Sequence, residues 1–207
     1  MDEVTPPGEL NRLTDMERIV IFGNSGSGKS SLAKALAARH GVAHLDLDTI
    51  AWGRPGVRAA AEESTRVLLR FIETSDGWVI EGCYSGLLEV AAAHSTELVF
   101  LNPGVEACVE NCEARPWEPH KYETREAQDA NLRMLVEWVR EYETRDDEFS
   151  LREHRRLFDA HAMADGSLLV YNPTSAARTF RIGGMSVTVP PLRCVRVDSA
   201  GNPVGAA

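Results

Sequence analysis

Lysine is scarce in this chain of 207 residues: among 22 basic residues only Lys29, Lys34 and Lys121 are lysines, and the rest are arginines. Acidic residues are in excess, and the net charge of −9 argues against a broad basic surface for duplex nucleic acid. No stretch approaches the roughly 20 apolar residues of a membrane-spanning helix, and the acidic start at Met1–Glu9 lacks the form of a signal peptide. These absences predict a cytoplasmic protein that binds no membrane, and they disfavour nucleic acid as a partner, although a local arginine cluster could still hold phosphate groups.

Cysteine is also sparse. The four cysteines, Cys83, Cys108, Cys112 and Cys194, lack the paired spacing of a zinc site, and disulfides are not expected in a reducing compartment. Cys108 and Cys112 are four residues apart on a predicted helix and are interpreted as small core residues. The sequence contains no internal repeat, and its length fits one domain with a full core or one domain plus a small appendage.

The most informative segment is residues 23 to 30, which read Gly-Asn-Ser-Gly-Ser-Gly-Lys-Ser and match the phosphate-binding loop G-x-x-x-x-G-K-[ST]. A β-branched run at 18–22 precedes the segment and a helical pattern follows it, which is the context that the motif requires. Such a loop turns successive N–H groups toward a phosphate, while the lysine reaches the β- and γ-phosphates and the serine hydroxyl binds Mg²⁺. We therefore predict an ATP–Mg²⁺ site formed by Gly23, Asn24, Ser25, Gly26, Ser27, Gly28, Lys29, Ser30 and Ser31.

Strands and helices alternate along the chain, a pattern typical of a parallel sheet covered by helices. The patterns predict strands at 18–22, 43–47, 77–81, 97–102 and 167–171, and helices at 29–40, 59–75, 85–93, 104–114, 125–143 and 151–163. An apolar stripe on the helix over 125–143 leaves Arg133, Arg140 and Arg145 as a solvated face. We predict an α/β domain at 17–173 with five strands in one sheet, preceded by a flexible leader at 1–16.

The character of the chain changes after the predicted α/β domain. Residues 174–207 contain short strand patterns at 179–182, 186–189 and 194–197, separated by Gly-Gly and Pro-Pro pairs. This segment predicts a β-rich C-terminal extension. It either packs on the edge of the sheet or forms a contact between copies of the chain in a homo-oligomer.

Carboxylates follow two of the predicted strands. Asp46 and Asp48 end the second strand, where alternation would point both side chains to one side, toward the ligand edge of a parallel sheet. One carboxylate can hold Mg²⁺ and the other can orient the attacking group, although Asp48 is equally placed to cap a helix. Glu81 ends the third strand, either as a further magnesium-side acid or as an ordinary strand-end residue. We assign Ser30, Glu81 and one of the two aspartates to the metal and the other aspartate to the acceptor.

Three segments together resemble the adenylate-kinase-like P-loop proteins often labelled DNA topology modulation proteins: residues 23–30, His44-Leu-Asp-Leu-Asp48 with Trp52 following, and Trp78-Val-Ile-Glu-Gly-Cys-Tyr-Ser85. The Asp-x-Asp spacing is also similar to that of shikimate kinase, in which the first acid serves the metal and the second meets the substrate. This resemblance implies that Asp46 lies on the metal side and Asp48 on the acceptor side. The resemblance implies a three-layer P-loop kinase fold, a parallel sheet of order 2-3-1-4-5, and a mobile lid. One departure, Glu81-Gly82-Cys83-Tyr84 in place of a run of glycines, argues against shikimate itself as the acceptor.

Residues 114–125 are the lid candidate, because they are too rich in proline for a helix and carry Arg115, Lys121 and Arg125. By analogy with the lids of nucleoside monophosphate kinases, Arg115 and Arg125 would stabilise charge on the transferring group. The alternative is a structural connector in which Trp117 packs on the body. Pro173 follows the fifth predicted strand, where such kinases contact the adenine ring.

Three functions remain open from the sequence alone. The first is an ATP- and Mg²⁺-dependent phosphotransferase, which needs an acceptor pocket lined by Asp48, Trp52, Glu81 and Tyr84 for a small molecule or a nucleotide. The second is a nucleotide-binding regulatory ATPase that acts on a protein or DNA partner through an exposed surface. The third is a nucleotide-binding protein that has lost its catalytic function.

The loop assignment predicts the effect of Lys29→Ala. Since the ammonium group is expected to contact the β- and γ-phosphates, the variant should lose most of its ATP affinity and remain folded. Isothermal titration calorimetry of ATP–Mg²⁺ together with circular dichroism measures both quantities. Unchanged affinity in a folded variant would refute the assignment.

Overall fold

The computed structural model describes residues 17–54, 57–117, 123–160, 168–171, 178–182, 185–189 and 194–197. The predicted leader at 1–16 and parts of the C-terminal extension lie outside these residues. Within the described chain the strands are β1 (Arg18–Gly23), β2 (Ala43–Asp46), β3 (Trp52–Arg54), β4 (Val57–Arg58), β5 (Trp78–Gly82), β6 (Glu97–Leu101), β7 (Leu168–Tyr171), β8 (Arg178–Ile182), β9 (Met185–Val189) and β10 (Cys194–Val197). The helices are α1 (Lys29–His40), α2 (Asp48–Ala51), α3 (Ala61–Thr74), α4 (Ser85–Ala92), α5 (Val105–Glu113), α6 (Arg125–Arg140), a 3₁₀ turn at Glu141–Glu143, and α7 (Leu151–Ala160).

The central sheet has four parallel strands in the order β2-β5-β1-β6. In terms of the predicted strands this order is 2-3-1-4, so the parallel α/β arrangement is confirmed for these four. Burial explains the arrangement, because Ile19–Phe22 of β1 is buried on both faces, as a central parallel strand requires. Val20 and Phe22 face one helical layer, and Ile19 and Ile21 face the layer that contains α1. The molecule therefore has three layers.

The prediction of a fifth parallel strand is wrong for the described residues. The strand itself forms, but β7 pairs in antiparallel fashion with β10, in register from Leu168 with Val197 to Tyr171 with Cys194. Strand β7 also lies beside β6, at the edge of the sheet, but no hydrogen-bond ladder joins these two strands among the described residues. Strands β8 and β9 form a separate antiparallel hairpin, so all three strands predicted in the extension are present. An oligomer contact through the extension stays a prediction.

Two small elements were missed by the sequence patterns. Helix α2 follows β2 directly, and β3 and β4 then form a short hairpin between α2 and α3. These elements place Trp52 and Arg58 beside Tyr84, which follows β5. None of the helices among the described residues is long and apolar enough to cross a membrane.

His154 of α7 joins three segments in the core. The side chain is fully buried, its Nε2 lies 2.9 Å from the Cys83 carbonyl, and its Nδ1 lies 2.8 Å from the Tyr142 hydroxyl. Because a carbonyl can only accept, Nε2 must carry the proton, and Nδ1 accepts from the tyrosine. Burial lowers the pKa of His154 to about 4. The imidazole is therefore neutral in the folded protein at neutral pH.

This neutral histidine predicts a loss of stability in mild acid. Since the pKa of His154 is lower in the folded protein than in the unfolded chain, its contribution is complete above pH 6.5 and declines as pH falls toward 4. The free energy of unfolding should fall by up to about 3 kcal/mol across this window. Urea unfolding of the protein and of His154→Gln at several pH values measures the effect, with exposed His94→Gln as the control. Equal pH dependence in the protein and His154→Gln would contradict the assignment.

Candidate nucleotide and acceptor site

The phosphate loop connects the end of β1 to the start of α1. Gly23, Gly26 and Gly28 have φ angles of 145°, 77° and 95°, in the region that side-chain-bearing residues rarely adopt. Gly28 caps α1 in a left-handed conformation, and no side chain accepts from the first N–H groups of this helix. The amides at the start of α1 thus form an anion-binding site.

Two glycines of the loop lie against neighbouring backbone. A Cβ atom at Gly23 would lie 2.1 Å from the Leu101 carbonyl oxygen, and one at Gly26 would lie 2.2 Å from the Cys108 carbonyl oxygen and 2.8 Å from Cys112 Sγ. Asn111 of α5 also donates to the Gly26 carbonyl at 2.8 Å. The loop is therefore held between the end of β6 and α5. The interpretation of Cys108 and Cys112 as small buried core residues is confirmed.

Asn24 fixes the start of the loop. Its side chain donates to the Val139 carbonyl of α6 at 3.0 Å and accepts from the Ser25 amide at 2.9 Å, and its carbonyl accepts from Lys29 Nζ at 2.9 Å. Lys29 is consequently held against the loop and is only 9% exposed. The hydroxyl of Ser27 is buried and has no hydrogen-bond partner in the described structure. A lysine, an orphaned hydroxyl and helix amides in one concave loop fit a polyphosphate.

Glu81 lies next to the phosphate loop at the end of β5, and its side chain is almost fully buried. Burial raises its pKa, the charge of Lys29 opposes that rise, and the Ser30 side chain is within hydrogen-bonding reach. One carboxylate oxygen, Oε1, has no hydrogen-bond partner among the described residues, and His44 Nε2 lies 4.0 Å from it. The three predicted metal-side residues are close together, because Asp46 also acts on the pKa of Glu81 and pairs with it across β2 and β5.

The donor set is suited to Mg²⁺ rather than to a metal held by protein alone. Within the described chain no group of three or more His, Cys, Asp or Glu side chains could hold a metal ion. Mg²⁺ in nucleotide sites uses one or two protein oxygens together with phosphates and waters. Ser30, Asp46 and Glu81 fit that role.

The two aspartates lie in different elements. Strand β2 ends at Asp46, and Asp48 is the first residue of α2, so strand alternation does not align them as predicted. The Asp46 carboxylate accepts from the Asp48 amide at 2.9 Å and thereby caps α2, the role that the sequence suggested for Asp48. The Asp48 carboxylate instead accepts from the Tyr84 hydroxyl at 2.6 Å. Asp48 nevertheless lies close enough to Glu81 to affect its pKa.

The predicted lid residues are separated in the structure. Arg115 lies beside the phosphate loop, where its guanidinium is 3.4 Å from Ser25 Oγ and 3.6 Å from Cys112 Sγ. Arg125 is exposed at the start of α6, 3.9 Å from Asp129. Trp117 is 45% exposed, which argues against the connector whose tryptophan packs on the body. Lys121 and Pro173 lie outside the described residues, and their assigned roles stay predictions.

Arg145 was missed by sequence reasoning. The prediction of a solvated face is wrong for this residue: its side chain is 6% exposed and packs over the Trp138 ring, 3.9 Å from the ring centroid. The guanidinium donates to the Trp138 carbonyl, while Nε and Nη1 have no hydrogen-bond partner in the part of the chain described. Two carboxylates lie 3.9 Å away. The available signal was the predicted end of the helix at residue 143, because Arg145 lies beyond it and the apolar stripe does not determine which way its side chain faces.

Four aromatic side chains form what we call the aromatic wall: Trp52, Tyr84, Trp138 and Phe149. Trp52 Nε1 donates to the Tyr84 hydroxyl at 2.8 Å, and the Phe149 ring lies edge-on to Tyr84 and to Trp138 at 5.4 and 5.7 Å. Arg58 lies 4.9 Å from the Tyr84 ring centroid and is paired with Glu148 at 3.0 Å. Through Tyr84 this wall contacts Asp48. Three of the four residues predicted to line an acceptor pocket, Asp48, Trp52 and Tyr84, are therefore joined by hydrogen bonds.

Comparison with known proteins gave only distant likenesses. No family model matches the chain, and no curated protein matches it. The chain is similar to a shikimate kinase from Bacteroides thetaiotaomicron (18% identity, TM-score 0.42, 70% of this chain and 98% of that chain). It is also similar to a shikimate kinase from Acinetobacter baumannii in complex with shikimate (17%, 0.37, 70% and 93%) and a gluconokinase from Sinorhizobium meliloti (18%, 0.38, 70% and 94%). At these identities and TM-scores the likeness shows neither a family nor a reaction for this chain. The resemblance to DNA topology modulation proteins stays a prediction.

The close approach of the loop to α5 predicts that Gly26→Ala destabilises the protein and abolishes ATP binding. The added Cβ meets the Cys108 backbone and also strains a positive φ, at a cost of about 2–5 kcal/mol. Gly41→Ala is the matched control, because Gly41 also has a positive φ but no atom lies within 4 Å of its Cβ position. The control should lose about 1–2 kcal/mol from strain alone and bind ATP normally. Urea unfolding and ATP calorimetry compare them, and normal ATP affinity in Gly26→Ala would contradict the described packing.

Proposed function

We propose that this protein is an ATP- and Mg²⁺-dependent phosphotransferase that moves the γ-phosphate to a small-molecule or nucleotide acceptor. One observation carries the proposal: Asp46 pairs with Glu81 across β2 and β5, beside the phosphate loop, and the Asp46 carboxylate accepts from the amide of Asp48 at 2.9 Å. A phosphate-binding cation and a carboxylate able to orient an acceptor are thus present in one site. Nucleotide binding alone would not require a carboxylate that orients an acceptor.

The nucleotide side consists of the loop and the buried acid. The amides at the start of α1 and the Lys29 ammonium bind the phosphates, and the loop glycines allow the backbone to approach them. Ser30, Asp46 and Glu81 would hold Mg²⁺, which when bound neutralises charge on the β- and γ-phosphates. When the triphosphate binds, Lys29 would exchange its contact with the Asn24 carbonyl for a contact with phosphate oxygens.

The acceptor side consists of Asp48 and the aromatic wall. Asp48 orients the acceptor hydroxyl or phosphate for in-line attack and accepts its proton where one is released. The aromatic rings present apolar surface beside this carboxylate and limit access of water, which would otherwise compete as the acceptor. The orientation of the Asp48 carboxylate supports this role, because the wall holds it by a short hydrogen bond.

We assign stabilisation of charge on the transferring group to two arginines. Arg145 is the stronger candidate, since two of its buried N–H groups lack hydrogen-bond partners among the described residues, and a phosphoryl oxygen would satisfy them. Trp138, on which it packs, is next to Val139, whose carbonyl holds Asn24 of the loop. Arg115 lies at the loop itself. We propose that residues 114–125 close over the phosphates as a lid and that Arg125 joins the site on closure.

The test is ADP formation from ATP–Mg²⁺ with a panel of nucleoside monophosphates, polyols and hydroxy acids. The proposal predicts acceptor-dependent ADP formation that falls at least about 100-fold in Asp48→Asn, with ATP affinity changed less than about three-fold. Arg145→Gln should lower turnover about ten-fold or more, whereas Arg140→Gln, which changes an exposed arginine at the end of α6, should leave it unchanged. Slow ADP formation that no acceptor stimulates would favour the regulatory ATPase. Normal turnover in Asp48→Asn would remove Asp48 from the mechanism.

A further inference from the structure

We propose that Tyr84 is a positioning residue for Asp48 and that Trp52 sets the direction of the Tyr84 hydroxyl. The inference rests on the proposed function, in which Asp48 orients the acceptor. Three groups are linked in series: the Trp52 indole N–H, the Tyr84 hydroxyl and the Asp48 carboxylate, at 2.8 and 2.6 Å. They come from the β3–β4 hairpin, the end of β5 and the start of α2, so no single element determines the arrangement.

The direction of the hydrogen bonds follows from the chemistry of the donors. An indole nitrogen can only donate, so Trp52 must donate to the Tyr84 oxygen. The phenol has one proton, which is then directed at the only other partner that these contacts provide, the Asp48 carboxylate. Burial raises the pKa of Tyr84, with the charge of Asp48 as the next cause, so the phenol keeps its proton and remains a donor.

Packing prevents the phenol from turning away. The Tyr84 side chain is 3% exposed, the Phe149 ring lies edge-on to it at 5.4 Å, and the Arg58 guanidinium lies 4.9 Å from its ring centroid. Asp48, by contrast, begins a helix of only four residues, which has little intrinsic stability of its own. The hydrogen bond from Tyr84 therefore helps to fix the orientation of this carboxylate.

The contact has two opposing chemical effects. A hydrogen bond from a phenol stabilises the charged carboxylate and makes it a weaker base, while it also fixes the position of its oxygens. A small displacement of a reacting group costs a large factor in rate, so orientation should dominate. Loss of the phenol should consequently lower turnover more than it changes substrate binding.

The experiment compares two phenol deletions in the full-length protein. Tyr84→Phe removes the hydroxyl that contacts Asp48, and Tyr142→Phe removes a buried hydroxyl that contacts His154 instead. We expect Tyr84→Phe to lower kcat about ten-fold to a hundred-fold with ATP affinity and acceptor KM within about three-fold, and Tyr142→Phe to leave kcat within about two-fold. The rates are measured as ADP release with ATP–Mg²⁺, both with the nucleoside monophosphate, polyol and hydroxy acid panel and with water as acceptor.

Trp52→Phe tests the same positioning role independently. Trp52 is 43% exposed, so this variant is expected to fold even where Tyr84→Phe does not. It should lower kcat about two-fold to ten-fold, because it acts only through the tyrosine. The indole N–H resonance of Trp52 in ¹⁵N-labelled protein reports the linkage directly, and it should shift in Tyr84→Phe but not in Tyr142→Phe.

The outcomes separate this inference from the proposed function. Normal turnover in Asp48→Asn would reject the role of Asp48 and with it the reason for positioning it. A large loss in Asp48→Asn together with normal kcat in Tyr84→Phe or Trp52→Phe would reject the positioning role and leave the phosphotransferase proposal standing. A Trp52 resonance unaffected by Tyr84→Phe would show that the hydrogen bonds do not persist in solution and would also reject it.

Discussion

The structure depends first on how closely the phosphate loop approaches its neighbours. At Gly23 and Gly26 the loop backbone lies against the carbonyls of Leu101 and Cys108, where no side chain could fit. This contact fixes the loop between the end of β6 and α5, and the α5–α6 region in turn brings Arg115 to the loop. Asn24 adds the opposite support, because its buried amide bonds to α6. The loop conformation is thus imposed by packing from two sides as well as by its own glycines.

The segment that follows α6 organises the other half of the site. Arg145 packs on Trp138, Glu148 pairs with Arg58, and Phe149 lies between two rings of the aromatic wall. Ser150 then caps α7 by accepting from the Glu153 amide at 3.2 Å, which directs the chain so that His154 enters the core. A short stretch of sequence therefore supplies a cation, an ion-pair partner, a ring and a helix cap to one region.

Local sequence was sufficient to predict the nucleotide half. The loop and its flanking strand and helix follow from patterns within a few residues, because glycine geometry and strand burial are local properties. The order of the first four strands was instead implied by the resemblance to P-loop kinases. The contact of Phe149 with Tyr84 could not be predicted in this way, because the two residues are distant in the chain. Arg145 was missed because it was assigned to the face of a helix that ends before it. The hairpin that carries Trp52 did have a local signal, the Pro55-Gly56 pair typical of a tight turn. The partner of β7 was predicted wrongly because alternation identifies a strand but not its neighbour.

The hydrogen bond between Asn24 and Val139 spans 115 positions of the chain, and the pair of Arg58 and Glu148 spans 90. Contacts of this separation form late, because the loop-closure entropy must be overcome before they contribute stability. The parallel strands can assemble from the first half of the chain, whereas the support of the phosphate loop and the aromatic wall are complete only when the segment from Trp138 to His154 has docked. Sequence change in this one segment can therefore alter both the support of the loop, through Val139, and the aromatic wall, through Trp138 and Phe149.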